Sequence, residues 1–397
     1  MNSPRPTVGD KTPRVLVIGS YGRSLVPFRF ALMTGLREAG CAVFAGIPRD
    51  EVPGDDLERL GRAGIDVLDI PVERHGINPL RDMAYTVAVA RAVSAHRITA
   101  LVPYTFKPVI FASVGAWLGG ARHILPMMTG LGSIFTGPAN TWRKRVLRVI
   151  VAWLSRFALG RAEVIYFQNP DDPKELARWG GVPRGAAIDY LAGSGVDVCH
   201  YPRVVLRDRE RLEAGGRALT FLLVARLLAD KGLREFAAAA AMVRRQAPAT
   251  RFVLIGPFDG NPSAIGPEEV ASWEWIDYRG EIDDLRPALA ECDVFVLPSY
   301  REGTPRSVLE ALATGRAVIT SDAPGCRETV IEGLNGFFVP VGDSKALAAA
   351  MARFITEPAL CARMGAESRR IAEQKFDQHR VFRPLIRQIA GRISAAK

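Results

Sequence analysis

Short apolar runs recur along the chain and alternate with segments of helical periodicity. In the first half they are Val15-Leu-Val-Ile18, Ala42-Val-Phe-Ala45, Ile65-Asp-Val-Leu68, Ala100-Leu-Val-Pro103 and Ile124-Leu-Pro126. Runs this short, bounded by turn residues, predict strands buried on both faces, as in a parallel sheet. The first run enters a turn, Gly19-Ser-Tyr-Gly22. A helix follows, with Phe28, Leu32 and Leu36 on one face and Gly40 as its stop. The pattern restarts after Gly193-Ser-Gly-Val-Asp197. A strand Leu219–Val224 leads to a helix from about Gly232, and Phe252–Gly256, Val294–Leu297 and Ala317–Ile319 continue the alternation. The expected fold class is α/β, with two Rossmann-like doubly wound domains facing each other across a cleft and joined near residues 193–217.

Composition narrows the class. A chain of 397 residues suits two or three domains. Its 48% hydrophobic and 24% charged content is that of a soluble globular protein. Five scattered cysteines without a CxxC predict reduced thiols and a cytoplasmic setting. The histidines lack zinc-type spacing, and no metal site is expected. No apolar h-region precedes Val15, so no secretory signal is predicted. No run approaches the roughly 20 apolar residues that span a bilayer. Neither Gly19–Gly22 nor Gly256-Pro257 forms GxGxxG, which argues against an NAD-type dehydrogenase.

Charge adds a regional feature. Between Asp82 and Glu163 there is no acidic residue and there are ten basic ones, which account for the whole net charge of +10. A one-signed region attracts phosphate-rich partners such as nucleic acid or anionic lipid.

The densest candidate chemistry lies in Ser299-Tyr-Arg-Glu-Gly-Thr-Pro-Arg-Ser-Val-Leu-Glu310. It follows the buried strand Val294–Leu297. Gly303 frees the backbone, Thr304 suits an N-cap, Pro305 suits the first helical position, and Gly315 suits the helix end. A strand, a tight turn and a helix N-terminus make an anion site. Glu302 before the helix and Glu310 within it suit the hydroxyls of a phosphosugar. The alternative is a surface turn with an Arg306–Glu310 pair at i,i+4. After the strand ending at Val224, Arg226 and Lys231 suit a diphosphate, or are solvated loop charges.

At this run the chain resembles the retaining glycosyltransferases of family 4, whose donor domain carries Glu-x7-Glu. The downstream Gly325…Glu328 and Asn335-Gly336 belong to the same resemblance. It implies the type B fold, with Glu302 at the donor sugar and Glu310 at the nucleotide ribose. Gly303, Thr304, Pro305 and Arg306 lie between them as donor-binding candidates. It implies that Arg226 and Lys231 hold the donor pyrophosphate and that Glu281 and Ile282, in Tyr278–Asp283, meet the base through the backbone. It also implies that a final helix, about 378–394, crosses back to the first domain. The expected domains are residues 1–197 for acceptor and membrane, 198–375 for the donor, and 376–397 for the returning helix.

The first half resembles bacterial members that extend sugars on undecaprenyl diphosphate. The matching stretches are Arg74-His-Gly-Ile-Asn-Pro79 with Asp82, Tyr104-Thr-Phe-Lys-Pro108, Thr129–Gly137 and Phe167-Gln-Asn-Pro-Asp-Asp172. One departure is Tyr104-Thr-Phe-Lys107, where many members carry a histidine. No histidine is therefore given a catalytic role, and that of His75 stays open. The resemblance implies a hexosyltransferase moving a sugar, expected from a UDP-sugar, to a lipid-linked saccharide with retention. No metal or cofactor is implied, and the leaving phosphate assists the acceptor.

Residues Asn140–Leu159 read as amphipathic. Trp142, Val146, Val149, Ile150, Trp153 and Phe157 share one face, and Arg143, Lys144, Arg145 and Arg148 crowd the other. Such a helix suits a membrane interface, or a core helix with a solvated basic face. The acid-free window and the implied acceptor favour an anionic membrane, and a peripheral site on its cytoplasmic face. Acceptor or membrane candidates are Tyr21, Arg29, Lys107, Gly130, Gly132, Trp142, Arg143, Lys144 and Trp153. Rival readings are a soluble acceptor, a nucleotide-sugar 2-epimerase and a non-catalytic nucleic-acid-binding protein. The last lacks a recognisable binding module, so no nucleic-acid partner is expected.

Overall fold

A computed structural model describes residues 12–73, 78–132, 135, 141–205, 218–261 and 263–395. The chain divides into two compact units, Met1–Ser194 with Gln378–Lys397, and Gly195–Asp377.

Unit 1 contains β1 (Arg14–Ile18), β2 (Ala42–Ile47), β3 (Asp66–Asp69), β4 (Ala100–Pro103) and β5 (His123–Ile124), which form a parallel sheet in the order β3-β2-β1-β4-β5. A second parallel sheet holds β6 (Met127–Met128), β7 (Ile165–Phe167) and β8 (Ile188–Tyr190). Along β1 alternate residues enter different cores: Val15 and Val17 join one cluster, Leu16 and Ile18 the other. Both faces of the sheet are covered, which is why its central strands read as unbroken apolar runs. The helix Leu25–Glu38 packs on the helix Gln378–Ala395, whose Val381, Phe382, Leu385 and Ile389 are buried with Leu32 and Leu36. At Gly35 a Cβ would meet the Ile386 side chain, so the two helices approach closely there.

Unit 2 contains β9 (Thr220–Val224), β10 (Arg251–Ile255), β11 (Ile276–Tyr278), β12 (Val294–Leu297), β13 (Ala317–Ser321) and β14 (Gly336–Val339). All are parallel, in the order β11-β10-β9-β12-β13-β14. The larger sheet of each unit therefore has a point where the strand order reverses: between β1 and β4 in unit 1, and between β9 and β12 in unit 2. In open α/β sheets ligands bind outside the carboxyl ends of the strands at that point.

Of the strands that were not expected, β6, β7, β8 and β11 have only two or three residues, whereas β14 has four and is largely buried. All three residues of β8 are exposed, and β6 has only two residues. Neither gives a periodic signal long enough to read. Of the predicted strand Ile124–Pro126 only Ile124 is in a strand, at the end of β5; Leu125 and Pro126 connect β5 to β6.

Candidate functional site

The reversal point of unit 2 brings together the loops after β9 and β12. Lys231, from the first, donates to Glu302 Oε1 from the second at 2.6 Å, and both side chains are about 15% exposed. The loops are fastened to each other by backbone. Tyr300 N and Ser299 Oγ both donate to the Asp230 carbonyl, at 2.8 and 3.0 Å. Gly232 lies at φ +74°, and a Cβ there would overlap the Pro298 carbonyl. Gly325 lies at φ +81°, where a Cβ would overlap the carbonyl oxygens of Glu302 and Gly303. Glu302 N donates to Pro324 O at 2.9 Å. Glu302 is thus held from two sides by loops that only glycine lets this close.

Burial opposes the Lys231 charge, but the Glu302 carboxylate, its hydrogen bond and Asp230 outweigh it, so the ammonium titrates above its ordinary value. The buried Cys326 thiol is pushed up to about 12, first by burial and then by the Glu302 charge. Arg226 lies closer to solvent, 46% exposed, and is steered by Asp259 at 2.7 Å. Sequence reasoning missed Asp259 because the pair spans 33 residues with no local signal.

The helix after β12 is Arg306–Thr314, ended by Gly315 at φ +84°. Its start corrects the expected caps by one residue. Pro305 takes the N-cap position in an extended conformation, Arg306 is the first helical residue, and Thr304 lies outside. Ser307 Oγ donates to Val224 O at 2.9 Å and ties this helix to the end of β9. Arg306 Nε pairs with Glu310 at 2.9 Å, and its Nη1 donates to Gly195 O at 2.6 Å. The i,i+4 pair therefore exists, but it is not a surface pair: Glu310 is 7% exposed. Tyr201 hydrogen bonds to Glu310, and burial and then the Glu310 charge raise its phenol. No feature of the sequence singled out Tyr201. Beyond β11, Glu281 is exposed and Ile282 half-buried. They follow Gly280, whose carbonyl accepts from Gly256 N at 2.8 Å.

In unit 1 two expectations change. Arg29 is 2% exposed, not on an acceptor or membrane surface. Its guanidinium stacks on the Tyr104 ring at 4.4 Å and donates to Ser194 Oγ at 3.0 Å. Spacing held the signal, because position 29 shares a helix face with Leu25, Leu32 and Leu36. Lys107 is not a cation open to headgroups. It pairs with Asp82 at 2.9 Å, with side chains 15% and 5% exposed. Tyr21 is half-buried at the turn after β1. Gly130 and Gly132 adopt φ +132° and +72°, as their turn requires. In Phe167–Asp172, Asn169 Oδ1 accepts from the amides of Asp171 and Asp172 at the start of a helix. His75, Asn140 and most of Ser133–Gly137 lie outside the described residues.

The helix Trp142–Leu159 buries the side opposite its tryptophans. Val151, Ala152, Ser155, Ala158 and Leu159 face inward. Arg148 is also buried, against Phe135 and Trp179, so one of the expected basic-face residues belongs to the interior. Trp142 and Trp153 are 71% and 67% exposed, and Val146, Val149, Ile150 and Phe157 are exposed beside them. Arg143 is exposed and Lys144 half-buried.

Among the described residues no group of three His, Cys, Asp or Glu side chains is placed to hold a metal ion, and no helix is long and apolar enough to cross a membrane.

Known proteins share this arrangement. Residues 29–192 match the family model of the glycosyl transferase 4-like domain, and residues 218–357 that of glycosyl transferases group 1. N,N'-diacetylbacillosaminyl-diphospho-undecaprenol alpha-1,3-N-acetylgalactosaminyltransferase of Campylobacter jejuni is 26% identical over 340 residues, 84% of this chain and 87% of its own. The putative glycosyltransferase EpsD of Bacillus subtilis is 29% identical over 76% of this chain and 79% of its own. Among solved structures, Anabaena HepE in complex with UDP-glucose superposes with a TM-score of 0.71 at 18% identity, over 96% of this chain and 99% of its own. Both halves and the fold agree: the chain belongs to the glycosyltransferases that join a 4-like first domain to a group 1 second domain, in the two-Rossmann type B fold.

Proposed function

We propose that the protein is a retaining hexosyltransferase of glycosyltransferase family 4 that moves a sugar from a UDP-sugar to a polyprenyl-diphosphate-linked saccharide at an anionic membrane surface. The Lys231–Glu302 pair at the reversal point of unit 2 carries this reading. A buried carboxylate held by a buried ammonium offers an acceptor for sugar hydroxyls beside a donor for phosphate oxygens. When the glycosidic bond breaks, negative charge grows on the diphosphate. Lys231, Arg226 and the N-terminal end of the helix Arg306–Thr314, with its dipole, are the groups that would stabilise it. Glu310, already balanced by Arg306, suits the ribose hydroxyls, and the backbone at Glu281 and Ile282 suits the base. Side-chain cations perform the charge neutralisation, so the reaction as proposed needs neither metal nor cofactor. The leaving phosphate takes the acceptor proton.

The Campylobacter relative is named for a diphospho-undecaprenol acceptor, and HepE was crystallised with UDP-glucose; both favour these substrate classes here. The membrane reading rests on unit 1. The exposed Trp142–Phe157 stripe does not stand alone. Trp117, 48% exposed, sandwiches the Arg161 guanidinium with Phe157 at 4.1 and 3.8 Å. Leu80, Met83 and Val87 are exposed on the helix Pro79–Ala95. The only acid on these helices, Asp82, is buried and paired with Lys107. Apolar surface with cations around it fits an anionic bilayer interface.

Nucleotide release measured with UDP- and GDP-sugars, with and without a lipid diphosphate-linked sugar, tests the reading. Acceptor-dependent release from one donor, lost in Glu302→Ala, is expected. Release without acceptor indicates hydrolysis or epimerisation. Trp142→Ser/Trp153→Ser should lower sedimentation with phosphatidylglycerol vesicles by about tenfold or more.

A further inference from the structure

Unit 2 begins with residues 195–201, and both ends of this segment are tied to the helix Arg306–Thr314. At one end Arg306 Nη1 donates to Gly195 O at 2.6 Å. At the other, Arg369 Nη1 is shared by three carbonyl oxygens: Val198 and Tyr201 of the segment at 3.1 and 2.8 Å, and Ala313 of the helix at 2.7 Å. Inside the segment Asp197 Oδ1 accepts from the amides of Cys199 and His200 at 3.0 and 2.9 Å, and Tyr201 N donates to Asp197 O at 3.0 Å. The result is a closed Asx turn whose last residue, Tyr201, is fixed to the helix.

Tyr201 is buried, and the His200 ring packs edge-on against it at 5.1 Å. Its hydroxyl donates to Glu310, and burial and the Glu310 charge keep the phenol protonated. Arg306 Nε meets the same carboxylate at 2.9 Å. The two donors reach Glu310 from different elements, one from its own helix and one from the segment 195–201. Arg306 already balances the charge, so the phenol contributes direction: two donors on separate supports fix the plane of a carboxylate, where one would leave it free to turn. A carboxylate has about four lone-pair positions. Two are taken here, which leaves two for a pair of neighbouring hydroxyls. The Glu310 side chain keeps 10% exposure, an opening through which such a pair can reach it.

We propose that Tyr201 is a positioning residue: it sets the Glu310 carboxylate to accept from both ribose hydroxyls of the donor nucleotide, and so makes the site selective for ribonucleoside diphosphates over analogues that lack those hydroxyls. A buried carboxylate prepared for two O–H donors is left partly unpaired by such an analogue, and that loss is the source of the selectivity. The inference rests on the proposed role of Glu310 at the ribose.

Calorimetric titration of the full chain with UDP and with 2′,3′-dideoxy-UDP tests it, in wild type, Tyr201→Phe, Glu310→Ala and the double variant. Phenylalanine keeps the buried ring and removes only the hydroxyl. Wild type should bind UDP about tenfold or more tighter than the dideoxy analogue. Tyr201→Phe should lose about fivefold in UDP affinity, as for part of one hydrogen bond, with dideoxy-UDP within about twofold of wild type. In the Glu310→Ala background the same change should have no further effect, because nothing is left to aim. In turnover the donor KM should rise about fivefold with kcat within about threefold, since the ribose is remote from the bond that breaks. Equal losses for UDP and dideoxy-UDP in Tyr201→Phe would show that the phenol only supports packing, and overturn the inference with the ribose role of Glu310 intact. UDP affinity within twofold of wild type in Tyr201→Phe overturns it in the same way, as does a full loss that persists without Glu310. Glu310→Ala that binds UDP as wild type does, or wild type that does not distinguish the two nucleotides, overturns the ribose role and this inference together.

Discussion

The two units handle charge in opposite ways. In unit 2 the candidate site is made of paired charges: Lys231 with Glu302, Arg226 with Asp259 and Arg306 with Glu310. Two of these pairs are largely buried, and their loops are locked by Gly232 and Gly325. In unit 1 the helix Trp142–Leu159 leaves its tryptophans in solvent and its exposed charge is one-signed. Preorganised pairs suit a small polar ligand whose own charges replace none of the scaffold. A one-signed cationic and apolar surface suits a partner that is itself an extended anionic and apolar surface. Unit 1 also has a pair of the buried kind, Lys107–Asp82.

Several changes break or sharpen this contrast. Lys231→Ala has the largest expected effect, a loss of about 10²–10³-fold in transferase activity, read as nucleotide release. Loss below tenfold would remove Lys231 from the charge-stabilising set. Lys107→Ala strands the Asp82 carboxylate and should cost about 3 kcal/mol or more in stability, measured by urea unfolding, while vesicle binding by the folded fraction stays as in wild type. Weaker vesicle binding at equal folded fraction would return Lys107 to the membrane surface. Gly325→Ala forces a side chain into the left-handed region against two carbonyls and should cost about 2 kcal/mol, with UDP binding lost in parallel. Gly260→Ala, with open space around it, is the control and should stay within about 0.5 kcal/mol. The smallest effect concerns pH. The folded pKa of Lys231 is raised, so its charge contribution is complete below about 10.4 and is lost only as pH rises through the folded value. UDP affinity should therefore show no alkaline limb assignable to Lys231 below that pH. A limb near pH 8 that disappears in Lys231→Met would contradict the pairing.

Legibility in the sequence followed the length of a buried apolar run: the buried but short Ile165–Phe167 and the glycine-led Gly336–Val339 were missed. Val294–Leu297 and Ala100–Pro103 were read to the residue, because buried central strands are unbroken apolar runs. Ile188–Tyr190 was invisible, since an exposed edge strand needs no apolar residues. The residues of the candidate site in unit 2 were singled out by their pattern around one turn. Their pairing was not: Lys231 and Glu302 are 71 positions apart, and only the β9–β12 neighbourhood makes them meet. Arg29 was misplaced because its charge was weighed above its position on the Leu25–Leu32–Leu36 face. The start of the helix at Arg306 was off by one because Pro305 suits either side of a helix boundary.

The return of the helix Gln378–Ala395 to unit 1 has a consequence for synthesis. The ribosome makes most of unit 1 first, but Val381, Phe382, Leu385 and Ile389 complete its core only after all of Gly195–Asp377 has been made. At about 5–20 residues per second the interval is roughly 10–40 s. During that time the groove on the helix Leu25–Glu38 that receives Ile386 stands open. Unit 2 is continuous in sequence and complete before its neighbour. The unit begun first is therefore finished last, and premature termination before residue 378 would release a chain with one finished unit and one unfinished core.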